Sequence, residues 1–182
     1  MLTDEQRRAL VDVARRSVAA RVSGRRWTAI ALPDLPPAPG VFVTLKLAGE
    51  LRGCLGTLEC VGDLAGEVAR CAADAASEDT RFPHVTATDL PSLTLEVSVL
   101  GPLERIDPRA TGALTIGRHG LVVEQGWRRG LLLPQVATEW GWSAEQFLRQ
   151  TCRKAGLAPE AWERGAIVYR FAAEVFGEVS EG

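Results

Sequence analysis

The sequence predicts an α+β fold, an antiparallel or mixed sheet with flanking helices, on three observations. Val41, Val43, Leu45 and Leu47 recur at period two and lead through a turn into a second strand-like stretch, the pattern of a hairpin. Two segments that open at Thr3 and Ser143 carry helix-start signals and set apolar residues on one face at helical spacing. Strands and helices do not alternate strictly, which disfavours a doubly wound parallel sheet.

The first helix is expected from Thr3 to about Arg21. Thr3 and Gln6 match a capping box, and Leu10, Val13, Ala14, Ser17 and Val18 share a face. Ser23-Gly24 ends it. The proline-punctuated stretch from Ala31 to Gly40 reads as an extended connector laid over apolar surface, because fixed φ angles and missing N–H donors exclude it from helix and central strand. Val41 to Leu47 then forms a strand, Ala48-Gly49-Glu50 turns the chain, and Leu51 to Leu58 returns. A second helix opens at an Asp63 cap and runs to about Ala76, with Leu64, Val68, Cys71, Ala72 and Ala75 as a small-residue face suited to close packing on a sheet. Leu93, Leu95, Val97 and Val99 alternate with polar residues as a half-buried strand does. Leu121 to Glu124, a Gln125-Gly126 turn and Leu131 to Leu133 read as strand, turn, strand. A helix opened by Ser143 and Gln146 carries Phe147, Leu148, Thr151, Cys152 and Ala155 on one face and closes at Gly156, and Ile167 to Phe176 is a final strand.

With 182 residues, 46% of them hydrophobic, the chain can bury a core without metals or disulfides, and residues 1–182 are read as one domain or two tightly joined lobes. Twenty-one basic against 23 acidic residues give a net charge of -2, which supplies no global field for nucleic acid or an anionic membrane and leaves only local basic patches to consider. From a polar, acidic beginning and the lack of a long apolar stretch, the protein is expected in the cytoplasm and not in a membrane. Cys54, Cys60, Cys71 and Cys152 show no Cys-x-x-Cys spacing, and His84 and His119 add too few ligands for a zinc site, so no metal is expected. The glycines form no Gly-x-Gly-x-x-Gly or Gly-Lys-Ser/Thr loop, and no cofactor is expected either.

Several segments together carry a family resemblance. They are Leu51-Arg52-Gly53-Cys54-Leu55-Gly56-Thr57, Asp79-Thr80-Arg81-Phe82-Pro83, Leu95-Glu96-Val97-Ser98-Val99-Leu100 and Ile116-Gly117-Arg118-His119-Gly120-Leu121, then Leu131-Leu132-Leu133-Pro134-Gln135-Val136-Ala137 and Cys152-Arg153-Lys154-Ala155-Gly156-Leu157. In this order and at this length the chain resembles the AMMECR-type domain, or AmmeMemoRadiSam system protein A family. The resemblance implies an α+β fold in two unequal lobes with a cleft between them, and no settled activity. It also implies an association with a Memo-type protein and a radical S-adenosylmethionine protein.

Cys54 lies one residue after Gly53 and two before Gly56, so the backbone around the sulfur lacks side-chain shielding and a ligand could come close. Arg52, two residues before it, would share its face of a strand and favour a thiolate nucleophile. The alternative is a small buried core residue. His119, between Arg118 and Gly120, is the candidate base for an activated thiol, or else a turn histidine bonded to backbone. Arg81 is either an anion contact or, with Asp79, an ion pair bracing its loop. Glu139 is the carboxylate candidate for acid or base work, against a solvated helix position.

Two functional readings follow. One is an enzyme or enzyme component whose cleft presents Cys54, His119 and Glu139 for catalysis and Arg52, Gly53, Gly56 and Arg81 for a small-molecule ligand. The other is a non-catalytic binding or scaffold module for the Memo-type or radical S-adenosylmethionine partner. Five tryptophans are many for this length, but Glu139 and Glu145 beside Trp140-Gly141-Trp142 argue against an RNA-stacking platform there, and nucleic acid ranks behind both readings.

Overall fold

The structure, a computed structural model, describes residues 1–178, and the chain divides into two compact units. The first comprises Met1–Leu100 with the stretch from Glu174 onward; the second is Gly101–Ala173.

In the first unit, helix α1 (Asp4–Val22) starts with the expected capping box: the Thr3 hydroxyl accepts the Gln6 N–H at 3.2 Å and the Gln6 side chain accepts the Thr3 N–H at 2.9 Å. Helix α2 (Leu64–Ser77) is capped by Asp63, whose carboxylate accepts the Gly66 N–H at 2.9 Å. Ala65, Ala69, Ala72, Ala73, Ala75 and Ala76 bury a face small enough for α2 to pack on α1, on β1 (Val41–Leu47) and on β2 (Glu50–Thr57). Ser17 on α1 donates to the Ala69 carbonyl at 2.6 Å, which that closeness permits. Strand β1 is antiparallel to both β2 and β3 (Leu93–Leu100), in the order β2-β1-β3, with Thr44 opposite Cys54 on one side and Glu96 on the other. The alternation read from sequence is the buried one: Val41, Val43, Leu45, Leu95 and Val97 are all fully buried with Leu10, Val18 and Val68. Leu32, Leu35 and Ala38 of the connector pack half-buried against this core, as expected of a proline-rich segment that cannot join the sheet, and Trp27 ahead of it does the same. The β1–β2 turn holds Ala48 and Gly49 both at positive φ, 51° and 83°, the signature of a two-residue hairpin turn matched to strand twist.

The second unit contains β4 (Glu104–Ile106), β5 (His119–Gln125), β6 (Arg128–Leu132), α3 (Pro134–Glu139), α4 (Ala144–Lys154) and the first part of β7 (Ile167–Gly177). Its strands lie in the antiparallel order β4-β7-β5-β6. Leu121, Val123, Ala137, Phe147, Leu148, Cys152 and Val168 form its core, with α4 packed on β5 and β6. The end of β7 belongs to the first unit, where the Glu178 N–H donates to the Leu95 carbonyl at 3.0 Å.

Among the strands and α-helices of the described residues, two lie beyond the sequence reading. Strand β4 is three residues long and has no period to detect; α3 is a helix of six residues that begins directly at Pro134, where a fixed φ and an absent N–H suit the first helical position. Hairpin β5–β6 extends further toward its turn than the apolar pattern indicated, because polar residues continue the ladder: Gln125 pairs with Arg128, and Glu124 with Arg129, whose side chains also form an ion pair.

Candidate functional site at the edge of β2

Strand β2 borders its sheet, with one side paired to β1 and the other open. An open edge exposes N–H and C=O groups that need partners. Residues 79–89 supply them. The Asp79 carboxylate accepts the Cys54 N–H at 2.9 Å, and the Arg81 guanidinium donates to the Cys54 carbonyl at 3.3 Å. Asp79 and Arg81 are bound to each other through Nε at 2.9 Å and Nη2 at 2.7 Å, so one ion pair satisfies both outward backbone groups of Cys54 as a neighbouring strand would. Arg52 ties down the rest of the loop, donating to the Pro83 carbonyl at 2.6 Å, the His84 carbonyl at 3.2 Å and Asp89 at 3.4 Å. Asp89 also accepts the Thr86 N–H at 2.8 Å and the Thr86 hydroxyl at 2.9 Å.

Asp79 is only 7% exposed. The Arg81 hydrogen bonds, opposed by burial and aided by the Cys54 and Arg81 backbone N–H groups, bring its carboxyl down to about 2. Burial pushes the Cys54 thiol above the ordinary thiol range, while the Thr44 hydrogen bond and the Arg81 charge pull it partly back and Asp79 and Glu96 raise it further. The half-buried sulfur lies 3.1 Å from the Thr44 hydroxyl. At neutral pH it is a thiol, not a thiolate.

The two glycines of the motif serve packing. A Cβ on Gly53 would stand 2.2 Å from the Ala75 carbonyl oxygen of α2, and one on Gly56 would stand 2.3 Å from the Val41 carbonyl and 2.4 Å from the Phe42 ring. The approach to the sulfur anticipated from their missing side chains is therefore occupied by protein on those sides. Arg52 corrects in the same way: the cation bearing on the thiol is Arg81, and Arg52 is committed to the loop carbonyls and Asp89.

His119 and Glu139 belong to the second unit. His119 Nδ1 accepts the Thr115 N–H at 3.0 Å, closing the turn that opens β5, which is the backbone-bonded alternative weighed for it. Burial, then the charges of Arg170 and Arg118, hold its pKa below the usual imidazole value. Its only proton acceptor in the neutral form is already engaged. Glu139 is exposed at the last position of α3. Among the described residues no group of three or more His, Cys, Asp or Glu converges as a metal would need, and no helix is long and apolar enough to cross a membrane. Cys71 and Cys152 are buried packing residues, with the Cys71 thiol pushed up to about 12 by burial.

Two site residues escape a sequence reading. Thr44 is a polar side chain on the strand whose partner only pairing identifies, and Asp89 reaches Arg52 across 37 residues.

The chain is 44% identical to a protein of Methanothermobacter thermautotrophicus, over 97% of this chain and 96% of that one, and 44% identical to one of Thermococcus gammatolerans, over 97% and 92%. The crystal structure of uncharacterized protein PH0010 from Pyrococcus horikoshii matches with a TM-score of 0.88 at 39% identity, covering 98% of this chain and 94% of that one. The AMMECR1 family model spans residues 11–176, from α1 through β7, and so takes in the clasped edge of β2 and both units: the chain belongs to the AMMECR1 family.

Proposed function

We propose that this protein is a non-catalytic binding module whose first unit presents residues 79–89 and the start of β2 to a protein partner, of the Memo or radical S-adenosylmethionine type. The observation that carries the reading is the Asp79–Arg81 clasp on Cys54. It engages the groups a thiol enzyme would need free: the cation is neutralised by Asp79 and the sulfur is left protonated. What the clasp leaves outward is a fixed rim of exposed Arg81, Pro83 and His84 beside Leu51, itself 44% exposed. A rigid rim mixing apolar and cationic groups suits recognition, because little side-chain and loop entropy is lost on docking.

Size-exclusion chromatography of the protein with each partner class at micromolar concentration tests it. Co-elution that Leu51→Asp abolishes is expected; no complex with either class overturns the partner assignment.

One observation favours the competing reading of a thiol enzyme: Arg81 lowers the Cys54 pKa by its charge. Alkylation resolved at each cysteine by mass spectrometry separates the two, with Cys71 and Cys152 as buried controls. Sluggish Cys54 labelling at neutral pH is expected. Rapid labelling of Cys54 alone below neutral pH would establish a thiolate and sink the non-catalytic reading.

A further inference from the structure

The β5–β6 hairpin of the second unit turns through Gly126 and Trp127, with Gly126 at φ 61°. Glycine at the first central position is what a two-residue turn of this hand requires, and it puts Trp127 at the tip, 88% exposed. A large indole left this open on a rigid hairpin contributes nothing to the core. Its surroundings are cationic. The Arg128 guanidinium lies over the ring, 5.3 Å from its centroid, and is pinned there by a 2.5 Å bond to the Gly156 carbonyl. That carbonyl follows Arg153 and Lys154, both exposed in the last turn of α4, and β6 runs against the same turn: a Cβ on Gly130 would meet the Ala155 nitrogen at 2.3 Å. At the start of the turn the Gln125 side chain donates to the Arg164 backbone carbonyl at 3.5 Å, so the loop next to the hairpin carries a further exposed arginine. The nearby acidic side chains Glu124 and Glu160 are held by Arg129 and Arg149; Glu163, next to Arg164, is exposed. The α4 dipole accounts for Arg153 and Lys154 at a helix C-terminus. It does not account for Trp127.

We infer that the β5–β6 hairpin tip is a binding site for single-stranded nucleic acid, a base stacking on the open face of Trp127 and phosphates lying on Arg128, Arg153, Lys154 and Arg164. An arginine clamped over one ring face leaves the other for a flat partner, and aromatic stacking interleaved with backbone-tracking cations is how sequence-tolerant single-strand sites are built. The net charge of -2 is no obstacle, since the field here is local. An anionic lipid surface would use the same cations but would not call for a ring already covered on one face by a charge.

This inference goes beyond the partner-binding reading and concerns the other unit, so either can fail alone. The test is fluorescence anisotropy of a labelled single-stranded RNA of about 12 nucleotides, within the usual site sizes of about 4–16 nucleotides, in about 50 mM salt. Binding that weakens steeply with salt is expected, with Trp127→Ala weakening it about 10-fold or more, the order of one lost stacked base. Arg153→Ala with Lys154→Ala is expected to flatten the salt dependence, and Trp140→Ala, at the other end of α4, to leave binding unchanged. No binding by the intact protein, an unaltered affinity in Trp127→Ala, or Trp127-dependent capture by vesicles containing phosphatidylserine in place of RNA would each overturn it.

Discussion

A Cβ added to Gly53 would stand 2.2 Å from the carbonyl oxygen of Ala75, closer than any side chain can tolerate, so β2 and α2 touch backbone to backbone at the centre of the segment Leu51 to Thr57. That contact explains both the glycine and the run of alanines on α2. Gly53→Ala is expected to destabilise the protein by about 1–3 kcal/mol, the usual effect of overpacking a filled interior. Urea unfolding reads this as a lower midpoint at unchanged slope, and a midpoint equal to the parent's would show that α2 yields without cost.

Asp79 supplies an acid-sensitive part of the stability. Its carboxyl has an ordinary value of 3.8 and a folded value of about 2, so the native state holds fewer protons than the unfolded one between these limits. Its contribution is therefore complete above about pH 4 and is lost as pH falls toward about 2. Asp79→Asn should cost about 1–3 kcal/mol at neutral pH, by leaving buried donors poorly matched, and should flatten acid unfolding in that window. Unchanged acid unfolding would place the sensitivity elsewhere.

His119 should remain neutral to a lower pH than a free imidazole, since burial and two arginines oppose its charge. Its folded value lies below the ordinary 6.5, so what it adds to stability is present above that pH and lost as pH falls through the folded value. Proton NMR titration follows this directly, because the chain has only two histidines. A His119 titration at or above 6.5 would show that burial and the Arg170 and Arg118 charges do not govern it.

Ala48 is held at φ 51° in the β1–β2 turn, where an L side chain is disfavoured and asparagine is tolerated. Ala48→Asn creates the Asn-Gly pair that such turns prefer and should raise stability by about 0.5–1 kcal/mol. A fall in thermal midpoint would mean that Ala48 makes contacts worth more than the relieved strain.

Regular elements with strong local signals could be read from the residues: the capping boxes at Thr3 and Ser143, the alternation through β1 and β3, and the connector before β1 each follow from short-range chemistry. Strand β4 and helix α3 could not, being too short to show a period. The site was legible as a place and not as an arrangement. The motif around Cys54 could be singled out, and the Asp79–Arg81 pair weighed as a brace, because neighbours in sequence announce themselves. That this brace grips the edge of β2, that Thr44 meets the sulfur, and that Arg52 spends its donors on the loop are consequences of strand pairing over tens of residues. No local pattern encodes them. Trp127 shows the opposite failure, since a tryptophan after a turn glycine gives no sign of whether it points inward until the hairpin is built.

The first unit is assembled from distant parts of the chain. Glu174 accepts the Leu2 N–H and pairs with Arg7 at 3.0 Å, while Glu178 binds Arg15 and the Leu95 N–H, and the whole of the second unit is threaded between Leu100 and Glu174. During synthesis the ribosome delivers Arg7 and Arg15 more than a hundred residues ahead of the carboxylates that receive them. The inserted unit can close on its own residues as soon as β7 begins to emerge. The half of the protein made first is the half that finishes last.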